Sequence, residues 1–416
     1  MRNIFDQYNQ PENKLTHSLV SCLYEDKQLL NSFLKSFCSD FFKKSSNLQI
    51  EQQTVPGELN LLDDENDRKG LPDAVIYAEE QCLIIESKVS STLTKDQLIR
   101  HEKTVRRRGF NNVRGIGIVV DLLPNIRLDN WKQLTWNQIY NWVYNETENS
   151  KWAKKLLDYF NIAENKMVEN EYLTEGSITE FTGINFNQNN PYSYLEGKRT
   201  LKLLIKKIKQ NKILEKELNA DLNGKGRGGI KKGNLWDFIT FKKNEKKKFT
   251  HQPHLTIGLN ETHVSGNLTV PHGVKGKVKK NFQKISWKEF NEIIYKIAIN
   301  YDKYFGKSEG FKPNIIAVQR RYPSQSSPPI HDGTITFDIR TSFNDLSSKL
   351  KPKQKTQKEW LRAVFDVIKN KKSNIQFQVG AHFYYNKNTL VNNKDADQVI
   401  IKSFLACKPL IQHLFR

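Results

Sequence analysis

The chain has 416 residues, of which 37% are hydrophobic and 11% aromatic, enough for a sizeable core and for two or three domains. Its net charge of +21 is unevenly placed: residues 1–200 carry 24 Lys+Arg against 28 Asp+Glu, and residues 201–416 carry 42 against 17. No apolar run reaches the roughly eighteen residues of a membrane helix, no apolar core of a signal peptide opens the sequence, and Cys22, Cys38, Cys82 and Cys407 lack metal-ligand spacing, so a cytoplasmic protein with reduced cysteines is expected.

Residues 4–42 read as helical, because Leu15, Leu19, Leu23, Leu30, Phe33, Leu34 and Phe37 recur at spacings of three and four. Pro11 suits a first turn with Asn9 as its cap, which puts Glu12 in that turn. Residues 48–55 alternate as a strand, and 56–70 form an acidic, turn-rich loop. Residues 73–77 and 82–89 read as two short strands joined by a tight turn at 78–81. A polar helix is expected over 90–108, ending in Arg106, Arg107 and Arg108 before Gly109. With the buried strand 113–121 it makes a right-handed strand–helix–strand unit. Residues 131–144 and 151–160 read as amphipathic helices whose tryptophans belong to the core, and 163–190 reads as a linker.

The basic half opens with a Lys-rich helix over 194–218. The glycine-rich loop 223–233 carries Lys225, Arg227, Lys231 and Lys232 but lacks the Gly-Lys-Ser/Thr ending of a nucleotide P-loop, which excludes an ATPase reading. Strands are expected at 236–242, 255–259, 263–270, 275–280, 315–321, 333–339 and 376–385, and helices at 287–305, 356–369 and 397–415. His254-Leu255-Thr256 and His263-Val264-Ser265 have the His-x-Thr/Ser form of two-histidine phosphoesterases, but stand too close together to come from two lobes. The recurrent lysine runs, with Arg320 and Arg321, favour a polyanionic partner, nucleic acid above all.

The chemistry concentrates in 71–88. Asp73 opens one strand; Glu86 and Lys88 close the next. Residues two apart on a strand share a face, so Cys82, Ile84, Glu86 and Lys88 point one way and Leu83, Ile85 and Ser87 the other. A charged pair ending an apolar strand is costly to bury unless it is paired or meets a cation. Two acids and an amine at one sheet end suit divalent-metal phosphodiester chemistry.

Pro72-Asp73 followed by Glu86-Ser87-Lys88 resembles the PD-(D/E)XK (restriction-endonuclease-like) nuclease superfamily. Gln97, in the helix after Lys88, and Glu12, in a segment similar to the family's first helix, extend the resemblance over the first third of the chain. The resemblance implies an α/β domain with an αβββαβ core and a mixed sheet. The divisions expected are a nuclease domain at 1–165, a linker at 166–192 and a basic α+β nucleic-acid-binding, target-recognition domain at 193–416. The catalytic set is Asp73, Glu86, Lys88 and Gln97; Asp73, Glu86 and Glu12 would hold Mg²⁺, with Mn²⁺ as a substitute. Nucleic-acid contacts are expected from Arg106, Arg107, Arg108, Lys225, Arg227, Lys231, Lys232, Arg320 and Arg321. The activity implied is that of an Mg²⁺-dependent endodeoxyribonuclease of bacterial restriction or anti-phage defence. A ribonuclease, or a catalytically silent nucleic-acid-binding protein on a nuclease scaffold, are the alternatives. DNA is the partner expected before RNA, with no membrane, a homodimer to serve two strands, and a partner protein of a defence system.

Overall fold

The structure is a computed structural model that describes residues 11–42, 47–53, 71–89, 91–187, 191–224, 230–231, 234–243, 248–306, 308–324, 327, 330–343, 357–370 and 374–416. The chain divides into two compact units, Met1–Glu180 and Phe181–Arg416.

The first unit begins with α1 (Pro11–Glu25) and α2 (Lys27–Phe37). The stretch expected to be helical forms two helices; the break falls at Asp26, whose carboxylate accepts from Gln28 N and Leu29 N, both at 3.0 Å, and so starts the second. The proposed cap Asn9 lies outside the described residues. Then come β1 (Gln49–Gln52), β2 (Ala74–Ala78), β3 (Gln81–Ser87), α3 (Lys95–Arg107), β4 (Asn112–Val119), β5 (Trp131–Thr135), α4 (Trp136–Glu146) and α5 (Lys151–Glu169). The strands pair in the order β1-β2-β3-β4-β5. The β1–β2 and β2–β3 pairs are antiparallel; β3–β4 and β4–β5 are parallel. The sheet is therefore mixed, with α3 as the crossover from β3 to β4.

Both faces of this sheet are covered, as parallel strands require. Leu83, Ile85 and Ile116 pack with Leu19, Phe33 and Phe160 of the helices in one core, while Cys82, Ile84 and Val75 pack with Val105 of α3 in another. Phe160, fully buried and edge-on to Trp136 at 5.8 Å, fills the larger core. Phe160→Ala is expected to destabilise this unit by about 3–5 kcal/mol, measured by denaturant unfolding.

Two sequence expectations fail here. Residues 131–135 are a strand rather than the first turns of a helix. Gly115, paired with Trp131, leaves room for the indole; a Cβ at Gly115 would lie 2.3 Å from the ring. Thr135 then closes a capping box with Gln138, so α4 starts only at Trp136. Residues 163–169, expected as the start of a linker, continue α5. The fully buried Glu164 accepts from Ile178 N at 2.7 Å, Thr179 N at 3.1 Å and the Thr179 hydroxyl, tying the following coil back onto the helix.

The second unit comprises α6 (Tyr194–Gln210), α7 (Ile213–Leu218), β6 (Ala220–Asp221), β7 (Ile230–Lys231), β8 (Asn234–Phe241), β9 (His254–Leu259), β10 (His263–Val270), α8 (Gly276–Lys284), α9 (Trp287–Phe305), β11 (Phe311–Arg321), β12 (Ile330–Asp338), α10 (Glu359–Lys369), β13 (Ile375–Tyr384), α11 (Ala396–Ala406) and α12 (Lys408–Leu414). The sheet runs β12-β11-β13-β10-β9-β8-β6, with β7 on β8, and its pairs are antiparallel. Leu255, Ile257, Leu268, Val379 and Phe383 join one core with Leu204 of α6, Ile294 of α9, Val364 of α10 and Phe404 of α11. The alternate residues of the same strands, largely polar, form the opposite face.

Of residues 275–280, expected as a strand, Lys275 is the N-cap of α8 and 276–280 lie in the helix. Val278 and Phe282 stand four apart and pack on the core, so the spacing that matters there is helical. The expected helices 194–218 and 397–415 are each two helices; the second breaks at Cys407, just before Pro409. No helix among the described residues is long and apolar enough to cross a membrane.

Candidate active site

Strand β3 is apolar from Cys82 to Ile85 because both its faces are buried, and its polarity changes abruptly at Glu86. The β2–β3 register pairs Ala74 with Ile85, which sets Asp73, just before β2, beside Glu86. Asp73 N lies 3.4 Å from Glu86 Oε2, and Asp73 Oδ2 accepts from Ser87 N at 2.8 Å. Lys88 follows on the same face as Glu86; its N–H donates to Ile118 O of β4 at 2.8 Å, and its Nζ reaches Glu86 Oε1 at 2.8 Å. The Trp136 indole donates to Lys88 O at 3.3 Å, fixing the backbone there.

Helix α3 closes the site from its side. Thr94 caps it by accepting from Gln97 N at 3.3 Å, which sets Gln97 and His101 one turn apart on one face. Gln97 Nε2 donates to Glu86 Oε1 at 2.6 Å, and His101 Nε2 lies 3.1 Å from Glu86 Oε2. From the other face, the Thr16 hydroxyl of α1 meets the Ser87 hydroxyl, and both residues are buried.

The resulting cluster is graded. Glu86 and His101 are each 1% exposed, whereas Asp73, Lys88 and Gln97 are half-buried. Asp73, Lys88 and Gln97 therefore reach the surface while Glu86 stays behind them. Burial, and then the neighbouring Glu86 charge, push the Asp73 carboxyl up to about 6. Burial alone would raise Glu86 as well, but His101 and Lys88 outweigh it and hold Glu86 below the ordinary carboxylate range.

The structure brings Asp73, Glu86, Lys88 and Gln97 to one point. Glu12 stands in the first turn of α1, and its side chain lies outside the described part. Lys225, Arg227 and Lys232 lie outside the described residues, as does the side chain of Lys231 in β7. Arg106, exposed at the end of α3, is bound to Glu102 at 2.8 Å and to Asn111 O at 2.7 Å. Arg107 is exposed and Arg108 half-exposed beside it. Arg320 and Arg321 end β11 in the second unit, where Arg321 pairs with Asp332 at 3.1 Å.

His101 was missed as a site residue. Its signal is the four-residue step from Gln97 on a helix whose buried points are Leu98 and Val105. His101→Leu is expected to lower turnover about tenfold through a loosened Glu86, with substrate affinity little changed, in steady-state kinetics that separate kcat from KM.

Among the described residues, no three His, Cys, Asp or Glu side chains gather as a ready metal cage. Asp73 and Glu86 nonetheless offer two carboxylates to a divalent cation that completes its shell with waters and phosphate oxygens. Lys88 and Gln97 both donate to Glu86 Oε1, at 2.8 and 2.6 Å.

Two acids and an amine thus stand together at one end of a mixed α/β sheet. Residues 2–161 match the family model of the PD-(D/E)XK nuclease superfamily, and this N-terminal region of the chain is a PD-(D/E)XK nuclease region. Among solved structures, the small subunit of the heterodimeric restriction endonuclease R.BspD6I is similar at 14% identity, over 38% of this chain and 98% of that one, with a TM-score of 0.17. No curated protein matches the chain.

Proposed function

We propose that the chain is a divalent-metal-dependent phosphodiester hydrolase, an endonuclease acting on DNA. The observation that carries this is the meeting of Asp73, Glu86 and Lys88 at the ends of β2 and β3, where Glu86 takes the Lys88 ammonium at 2.8 Å and lies 3.4 Å from the Asp73 backbone N. A bound Mg²⁺ would be held by Asp73 and Glu86, where it would polarise a phosphoryl oxygen and acidify a coordinated water.

The chain's own side chains do the rest. The Lys88 ammonium orients the attacking water, and its charge offsets that gathering on the phosphate. Gln97 steadies the water or the scissile phosphate through the amide protons it does not spend on Glu86. His101 positions Glu86 from behind. Ser87 N, donating to Asp73 Oδ2 at 2.8 Å, fixes the Asp73 carboxylate at the end of β3. The basic second half of the sequence supports a role in holding the nucleic acid, and the resemblance to the superfamily is what suggests a place in restriction or phage defence.

The test is cleavage of supercoiled plasmid, linear duplex, single-stranded DNA and RNA in Mg²⁺, Mn²⁺ or EDTA. Nicking or linearisation of plasmid in Mg²⁺, abolished by EDTA, is expected. Cleavage of RNA alone would move the substrate, and undiminished cleavage in EDTA would remove the metal.

A further inference from the structure

The polar face of the second unit's sheet is not a flat solvated surface. It is hollowed into a cavity of about 650 Å³, floored by β9, β10 and β13 and walled by the segment around Phe249 and by the end of β11. A volume of that size is ordinary for a small-ligand site. What lines it is unusual for a structural void. Thr256, Asn267 and Thr269 are 8%, 5% and 3% exposed, yet Asn267 Oδ1 has no hydrogen-bond partner. A buried polar atom left unpaired costs free energy unless a ligand or water completes it. Gly380, opposite Asn267 on β13, is required by this arrangement, since a Cβ there would lie 2.1 Å from Asn267 Oδ1.

The chemistry of the lining narrows the occupant. Thr256 and Thr269 share a hydrogen bond of 2.7 Å, and Gln378 Nε2 donates to Thr269 at 3.0 Å, so neutral donors and acceptors run across three strands. Flat rings stand at the edges: Trp236 and Phe249 on one side, and His263 stacked on His382 at 4.2 Å on another. Burial keeps both of these histidines well below their usual range, so they are neutral near pH 7. No Asp or Glu lines the cavity among the described residues, which disfavours a cation. One guanidinium, Arg320, stands at the end near His272 and Tyr322, and its Nε is also without a hydrogen-bond partner.

We propose that this cavity binds a nucleobase together with its phosphate, the base among Asn267, Thr256 and the flanking rings and the phosphate at Arg320. A base edge needs mixed donors and acceptors and a planar slot, and the phosphate needs one cation at the slot's end. The source is either a free nucleotide or a base turned out of a strand; the recognition chemistry is the same. The proposal goes beyond the nuclease reading and does not rest on the metal site, because binding is measured in EDTA.

The experiment titrates nucleoside 5′-monophosphates, the matching nucleosides, a ten-nucleotide single strand, the same strand with an abasic centre, and inorganic phosphate into the full chain by calorimetry. At least one base-containing probe is expected to bind in the micromolar range. Asn267→Leu is expected to weaken it about tenfold or more, the loss of one buried hydrogen bond to ligand, while leaving the ligand-free melting temperature unchanged or raised. Arg320→Ala, at the rim, is expected to weaken the nucleotide about tenfold but not the nucleoside, and guards against a misfolded interior variant. A mononucleotide binding as tightly as the strand assigns a free nucleotide; a strand binding more tightly and losing this with the abasic centre assigns an extruded base. Absence of sub-millimolar binding by any base-containing probe, binding indifferent to Asn267→Leu, or inorganic phosphate binding as well as the nucleotides overturns the proposal, and none of these results bears on cleavage.

Discussion

Asp73→Asn is expected to lower Mg²⁺-dependent cleavage by about two to three orders of magnitude or more, the usual cost of removing a central electrostatic element. The substitution keeps shape and removes one of two charges that face each other across the β2–β3 pair. It leaves Glu86 alone to hold a cation, with Lys88 and Gln97 competing for the same oxygen at 2.8 and 2.6 Å. The same change has the opposite sign for stability. Burial and Glu86 raise the Asp73 carboxyl to about 6, so in EDTA the native state binds a proton here that the unfolded chain has already lost at its ordinary value of about 4. The contribution of Asp73 to stability therefore falls as pH rises from about 4 to about 6. Asp73→Asn is expected to be the more stable protein above pH 6 in EDTA, and the difference is expected to vanish below about pH 4. Thermal unfolding across that range checks it, and a mutant less stable at pH 7 would show that Asp73 is structural.

Lys88→Ala is the second large effect: a loss of about two to three decades in turnover with metal binding retained. The ammonium lies 2.8 Å from Glu86 and is half-buried where Glu86 is closed off. Removing it takes away charge stabilisation and leaves a room-sized gap for water, without subtracting a metal ligand. Lys88→Arg is expected to rescue little, because a planar fork does not reproduce a point charge on the same stem. Mn²⁺ titration followed by electron spin resonance separates the two variants: affinity falls for Asp73→Asn and holds for Lys88→Ala. Loss of affinity in both would make Lys88 an organiser of the ligands.

Asp73, Glu86 and Lys88 were legible in the sequence because strand geometry is periodic and their polarity interrupts an apolar run. Two residues apart on β3 means one face, and a short tight turn between strands sets which residue of β2 lies opposite. The Gln97 position followed from resemblance rather than from periodicity. His101 did not stand out, since a histidine near the basic end of a polar helix reads as a cation at a helix terminus until Glu86 is seen behind it. The failures in the fold have a common cause. Trp131-Lys132-Gln133-Leu134 fits a helical stripe as well as a strand, and only the gap at Gly115 decides in favour of the strand. Lys275 to Lys280 alternates on paper, and only the core position of Phe282 two residues beyond reveals a helix. In both cases a tertiary neighbour chose between two periods that the local sequence left open. The polar cavity of the second unit was illegible for a related reason. His254, Thr256, Ser265 and Asn267 look like the solvent face of ordinary antiparallel strands, and their burial becomes visible only when the walls around Phe249 and Arg320 are in place.

The most direct measurement is a crystal structure of the wild-type chain grown with Mn²⁺, with the ion located by its anomalous signal. The expected result is an ion bonded to carboxylate oxygens of both Asp73 and Glu86 at roughly 2.0–2.2 Å, with Lys88 displaced from Glu86 Oε1 but still beside the ion's open side. An ion bound elsewhere, or a site that stays closed by Lys88, Gln97 and His101 at saturating metal, contradicts it.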